Sequence, residues 1–165
     1  MSNIIANDTG KYLTFSLGRE EYGLEILKVR EIIGYMDVTA VPRTPPHVRG
    51  VINLRGQVIS VIDLRAKFAM PPAERTEQTC IIVVETRQAG AGRKLCTGLI
   101  VDRVCDVQDI AADRVEEPPP MGAGVDMRFI LGLGKVGAAV KILLDVDRVL
   151  GAGEVDGPSE NARAA

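Results

Sequence analysis

The chain has 165 residues and a mass of 17.7 kDa, with 46% apolar residues, 4% aromatic residues and a formal net charge of −2. That length allows one domain or two very small ones around an aliphatic core, and the apolar content excludes a disordered chain. A sequence pI near 5.5 gives no basic field for a phosphate backbone, so a small nucleic-acid-binding module is the disfavoured alternative.

Residues 1–10 read as a polar tail without a charged-then-apolar leader. Asn7-Asp8-Thr9 fits a glycosylation sequon, which has meaning only in a secreted chain. No apolar run approaches the ~18 residues needed to span a bilayer. A cytoplasmic protein with no direct membrane insertion is expected. Residues 12–17 alternate apolar and polar, 18–21 form a turn, and 22–26 resume the alternation, which predicts a hairpin. Val29, Ile32 and Ile33 shift to helical spacing and predict a short helical turn. Pro42, Pro45 and Pro46 mark a loop.

Residues 48–54 and 58–64 are two apolar runs hinged at Arg55-Gly56, a second hairpin. Residues 66–79, with Pro71-Pro72 and many charges, read as a linker. Strands are expected at 80–85 and 95–101, around a turn at Gly90 and Gly92, followed by a long loop broken by Pro118, Pro119, Pro120, Gly122 and Gly124. Residues 129–133, a glycine turn and residues 138–145 supply the last strands. Val146, Val149 and Leu150 allow one helical turn before a polar tail over 152–165.

Two stretches echo each other. Gly23-Leu24-Glu25-Ile26 through Val29-Arg30-Glu31-Ile32 recurs 75 residues later as Gly98-Leu99-Ile100-Val101 through Val104-Cys105-Asp106-Val107. The run 58–64 is answered by 140–146, shifted by 82. Two copies are too few for a solenoid. The expectation is one domain over 11–151 made of two pseudo-repeated halves, about 11–70 and 79–151, meeting at a seam. Short strands with frequent turn signals suit two small barrels.

Candidate chemistry is sparse. Gly132-Leu133-Gly134-Lys135-Val136-Gly137 matches a dinucleotide pattern, but a strand-like run follows where a helix would have to open, so a hairpin turn is the better reading. His47, the single histidine, lies in a proline loop without neighbouring carboxylates. Asp63 and Asp145 occupy equivalent places and suggest a carboxylate pair, yet duplication explains them as strand-end turn formers. Cys80, Cys96 and Cys105 have no metal spacing and read as reduced thiols, with Cys80 and Cys96 on facing strands of one hairpin. No catalytic residue, metal site or cofactor is expected. Arg55, at a hairpin tip between apolar strands, either presents its planar fork to another chain or is a solvated turn residue paired internally with Glu31.

With these residues in view, the chain resembles the CheW family of chemotaxis coupling proteins over 12–150. The most specific segment is Arg49-Gly50-Val51-Ile52-Asn53-Leu54-Arg55-Gly56-Gln57-Val58-Ile59-Ser60-Val61-Ile62-Asp63-Leu64-Arg65. The segments 22–32 and 98–104 match as well, whereas Ser60 stands where the family often has proline, and Ile33 and Cys105 are not its usual residues. The resemblance implies an all-β (mainly) fold of two SH3-like five-stranded barrels with short helical segments. It also implies a non-enzymatic adaptor that couples the helical cytoplasmic tip of chemoreceptors to the regulatory domain of the histidine kinase CheA. The receptor-binding positions it implies are Val29, Glu31, Gly50, Arg55, Val104 and Val107.

Overall fold

The computed structural model describes residues 10–87, 94–118 and 127–151; both tails, the turn at Gly90 and Gly92 and the run 119–126 lie outside them. The elements are β1 (Lys11–Leu17), β2 (Glu20–Glu25), β3 (Val29–Gly34), β4 (Val48–Leu54), β5 (Gln57–Asp63), α1 (Leu64–Lys67), β6 (Cys80–Arg87) and β7 (Lys94–Val101). They continue with β8 (Arg103–Asp109), β9 (Val115–Glu116), β10 (Ile130–Val136), β11 (Ala139–Leu144) and α2 (Val146–Gly151). Two sheets result, ordered β8-β1-β2-β11-β10-β9 and β3-β6-β7-β5-β4. The mainly-β class is as expected; among the described residues, no backbone pairing joins the two edge strands of either sheet.

The halves do not form one sheet each. β1 and β2 join β8 and β11, while β3 and β5 join β6 and β7. Each half therefore contributes its first two strands to one sheet and its remaining strands to the other. The meeting of the two halves is thus spread over both sheets. The echoed segments are the two places where the chain crosses between sheets, β2→β3 through a 3-10 turn at Ile26–Lys28 and β7→β8 through Asp102.

The duplication is visible in the register. Gly23 lies opposite Leu143 across a parallel pair, as Gly98 lies opposite Val61. A Cβ on Gly23 would sit 2.8 Å from Leu143 Cδ2, and one on Gly98 would sit 2.7 Å from Ile81 Cγ2. Both echoed glycines thus let neighbouring strands' side chains close over them.

Between the sheets lies a central cluster including Leu13, Phe15, Tyr22, Leu24, Ile62, Ile82, Val84, Leu99 and Leu144. Phe15, Tyr22 and Phe68 stack in sequence, with centroids 5.7 and 5.9 Å apart. Smaller clusters lie elsewhere, one around Ile52, Val61, Ile81 and Val83 and one around Tyr12, Ile110 and Leu143.

Three local expectations are corrected. Val29, Ile32 and Ile33 lie in β3, not in a helical turn, because a bulge between Val29 and Glu31 shifts the register by one residue. Val29 then lies opposite Val84 and Ile32 opposite Ile82, so positions three apart share a face, which imitates helical spacing. Residues 103–109, expected in a long loop, form β8; a bulge between Leu13 and Phe15 of its partner, together with its polar residues, hides the alternation. Gly132 and Gly134 lie inside β10, and the turn is at Gly137 (φ 61°). A Cβ at Gly132 would meet Val115 Cγ1 at 2.6 Å, so glycine there admits β9.

Candidate docking surface

Leu54 pairs with Gln57, which closes a two-residue loop over Arg55 and Gly56. Their φ angles, 51° and 87°, are both left-handed, as in a type I′ turn. Asn53 Oδ1 accepts from the Gly56 amide at 2.8 Å and braces the turn. This geometry favours Asn or Gly at the first position, whereas Arg is strained there. The Arg55 guanidinium donates through Nη2 to Glu31 Oε2 on β3, bridging the two edge strands of one sheet. The Arg55 side chain stays 68% exposed and that of Glu31 30% exposed. Both readings of Arg55 from sequence are therefore compatible with one geometry: it is ion-paired, and it is displayed.

The other candidates divide. Val29 on β3 and Val104 on β8 are partly buried against the same central cluster. Val107, opposite Leu13 on β8, is 51% exposed. Gly50 is buried, at φ 145°, where a Cβ would stand 1.9 Å from the Thr39 carbonyl oxygen. It permits the Thr39–Val51 bridge, whose two backbone hydrogen bonds measure 2.9 Å. Its role in the framework is thus explained by backbone approach alone.

Glu31 and Asp106, counterparts in the echo, do not act alike. Asp106 Oδ1 accepts from the buried Thr14 hydroxyl at 3.0 Å, and its amide donates back to Thr14 Oγ1 at 3.2 Å. The position matching Arg55 in the second half is Gly137, which has no side chain to offer. Ile32, 44% exposed beside Glu31, is the counterpart of Val107 and was not singled out from sequence. The signal was present in the 75-residue offset.

Several other charged groups tie framework elements together. Asp63 accepts from the Arg65 amide at 3.0 Å, capping α1, and from Arg49 Nη2 at 2.9 Å. Asp145 accepts from the Arg148 amide at 3.2 Å at the start of α2. Both act as helix caps, in agreement with turn-forming roles. Arg65 grips Asp102 with two hydrogen bonds of 2.9 and 2.7 Å, and Asp102 also accepts from the Gly18 amide at 2.8 Å. The Arg65 contact holds the Asp102 carboxyl below the usual range, against an opposing desolvation effect. A cleft of about 300 Å³ beside this pair is lined by Arg49, Asp63, Arg65, Arg75 and Asp102, among others.

The glycine motif at 132–137 opens no helix and is a strand and turn. Cys80 lies opposite Val101 and Cys96 opposite Glu85, so the two thiols do not face each other, and all three cysteines are free. Burial raises the Cys80 and Cys105 thiols, which works against thiolate formation. Among the described residues no cluster of His, Cys, Asp or Glu could hold a metal ion, and no helix is long and apolar enough to cross a membrane.

The structure is thus a β-sheet framework of two interlocked sheets with a solvent-facing arginine–glutamate corner. Comparison with known proteins gives the family. A CheW-like domain model matches residues 11–154. The chemotaxis protein CheW of Klebsiella aerogenes is 38% identical over 145 residues, covering 88% of this chain and 84% of that protein. The chemotaxis protein CheW of Rhizobium meliloti is 30% identical over 161 residues, covering 98% and 96%. The crystal structure of the scaffolding protein TtCheW from Thermoanaerobacter tengcongensis superposes with a TM-score of 0.77 at 36% identity, covering 90% of this chain and 95% of that one. The chain belongs to the CheW-like domain family.

Proposed function

We propose that this protein is an adaptor of chemosensory signalling that couples the helical tip of chemoreceptors to the regulatory domain of a CheA-type histidine kinase. Family membership and the likeness to a scaffolding protein support the adaptor role. In this reading the receptor helix lies against Val29, Val104 and Val107, with Arg55 and Glu31 at the rim. An amphipathic helix gains by burying its apolar stripe, about 1.5–3 kcal/mol per well-buried aliphatic side chain before ordering costs. The protein joins membrane receptor arrays through these partners.

The single observation that carries the reading is the left-handed Arg55 held on display by Glu31. Strained non-glycine backbone clusters at functional sites, and at Arg55 it coincides with an exposed, ion-paired guanidinium. The test is Arg55→Ala in a reconstituted array of receptor, kinase and adaptor. Receptor binding and kinase activation should fall at least tenfold, with the melting temperature within a few degrees of wild type. A variant that melts far below wild type would make Arg55 a structural residue, and a variant with full coupling would remove it from the interface.

A further inference from the structure

The joints between the two halves have a consequence for how copies of this chain can combine. Among the described residues, β3 pairs only with β6 and β8 only with β1. The parallel pairs β2–β11 and β5–β7 also join the halves. The central cluster draws Leu13, Phe15 and Leu24 from the first half and Ile82, Leu99 and Leu144 from the second. A half by itself keeps its hairpins but has an edge strand without a partner and one side of a core. The surface that completes it is the other half, from the same chain or from a second copy.

Only the segment 68–79 connects the halves covalently, and residues 71–78 are exposed throughout. Its two ends lie close together, because Cys80 pairs with Val101 beside Asp102, which is bound to Arg65 of α1. The reversal after α1 runs through Ala69 at φ 59°, with Met70 N donating to the Arg65 carbonyl at 2.7 Å. Glycine is the unstrained residue at such a helix end. Pro71 and Pro72 then favour an extended run over a fold-back. Holding the segment down are the Arg65 Nη1 bond to the Pro71 carbonyl at 2.8 Å and Arg75 over the Tyr35 ring at 4.5 Å.

We propose that residues 69–79 are an exchange hinge, and that two copies of this chain trade halves to form a reciprocal dimer. Residues 11–67 of one copy pair with residues 80–151 of the other, and the converse. Every strand pair and the buried core are recreated; the hinge straightens, releasing Ala69 from its left-handed turn and giving up the Met70 packing on that core and the Arg65–Pro71 hydrogen bond. Arg55 and Glu31 both belong to the first half, so each dimer carries two intact corners. Exchange requires the halves to separate, so the dimer forms on folding at high chain concentration and then persists.

The experiment refolds the full-length chain from denaturant at low and high concentration and reads mass by light scattering. A monomer at low and a dimer at high concentration is expected. A chain with a protease site in place of residues 73–78 distinguishes exchange from side-by-side association. Cutting the isolated dimer should halve its mass with the circular dichroism spectrum unchanged. A dimer that survives cutting, or a chain that refolds only as monomer at high concentration, would overturn the proposal. Ala69→Gly should lower the dimer fraction several-fold, and prolines at 73–78 should raise it. If both variants partition as wild type does, the hinge assignment fails.

Discussion

The hairpins β4–β5 and β10–β11 have the same framework and different tips. Both carry a bulge at the equivalent place, between Val48 and Gly50 in one and between Ile130 and Gly132 in the other. Both close on two residues, Arg55-Gly56 and Gly137-Ala138. At one tip a left-handed arginine reaches Glu31; at the other a left-handed glycine reaches nothing, and Asp106 turns to Thr14. The fold requires a tight turn at both sites and accepts glycine without strain. A charged corner is present at only one. The difference separates what the framework demands from what a partner would read.

The largest effect is expected at the bulge glycines. Gly50→Ala would drive a Cβ to 1.9 Å from a backbone oxygen at φ 145°, so a loss on the order of 3 kcal/mol or more is expected in denaturant unfolding. Gly132→Ala meets Val115 Cγ1 at 2.6 Å and the Glu116 carbonyl oxygen at 3.1 Å, but without a left-handed φ, so a smaller loss of about 1–3 kcal/mol is expected. Equal losses would show that the two bulges tolerate side chains alike.

Next come the latches at the two crossings. Arg65 of α1 holds Asp102 with side chains 15% and 31% exposed; at the other crossing Asp147 of α2 holds Lys28 with side chains 50% and 31% exposed. Asp102→Ala should cost about 1.5–3 kcal/mol and Lys28→Ala about 0–1 kcal/mol. The pH dependence has a definite sign. Asp102 is lowered on folding, so its contribution is present above the unfolded carboxylate pKa of ~3.9 and is lost as pH falls through its lower folded value. Acid unfolding of Asp102→Ala should therefore be less steep than that of wild type.

A smaller effect on folding, though not on coupling, is expected at the tips. Arg55→Gly removes turn strain and an exposed ion pair together, so stability should stay within about 1 kcal/mol while receptor binding is lost. Gly137→Arg should cost about 1 kcal/mol in unfolding and create no second receptor site, because Asp106 is engaged by Thr14. The smallest change is at Glu25. Burial raises its carboxyl, with Asp145 and Asp147 adding to the rise and Lys28 opposing it. A raised carboxylate destabilises the folded state at neutral pH; the penalty fades as pH falls below its folded value and is gone below the unfolded carboxylate pKa of ~4.3. Glu25→Gln should therefore gain a few tenths of a kcal/mol at pH 7, a gain that vanishes in acid.

Much of the framework was legible in the residues. The hairpins around 18–21 and Arg55-Gly56 followed from alternation and turn chemistry, and the capping aspartates followed from their equivalent strand-end places. β3 and β8 were not legible as strands, because a bulge in one and a bulged partner in the other disguise the period. The cleft beside Arg65 and Asp102 joins residues 37 apart, a proximity that no local pattern records.

By itself the sequence determined that the chain is a duplicated, aliphatic, strand-rich protein with an arginine at one hairpin tip. Periodicity and turn residues act over a few positions, so they are written locally. Only the tertiary structure decided that the halves interlock, that Glu31 finds Arg55 while Asp106 finds Thr14, and that the echoed segments are crossings. Backbone hydrogen bonds between strands are indifferent to side-chain identity. Which strands meet is settled by burying both halves' aliphatic faces in one core.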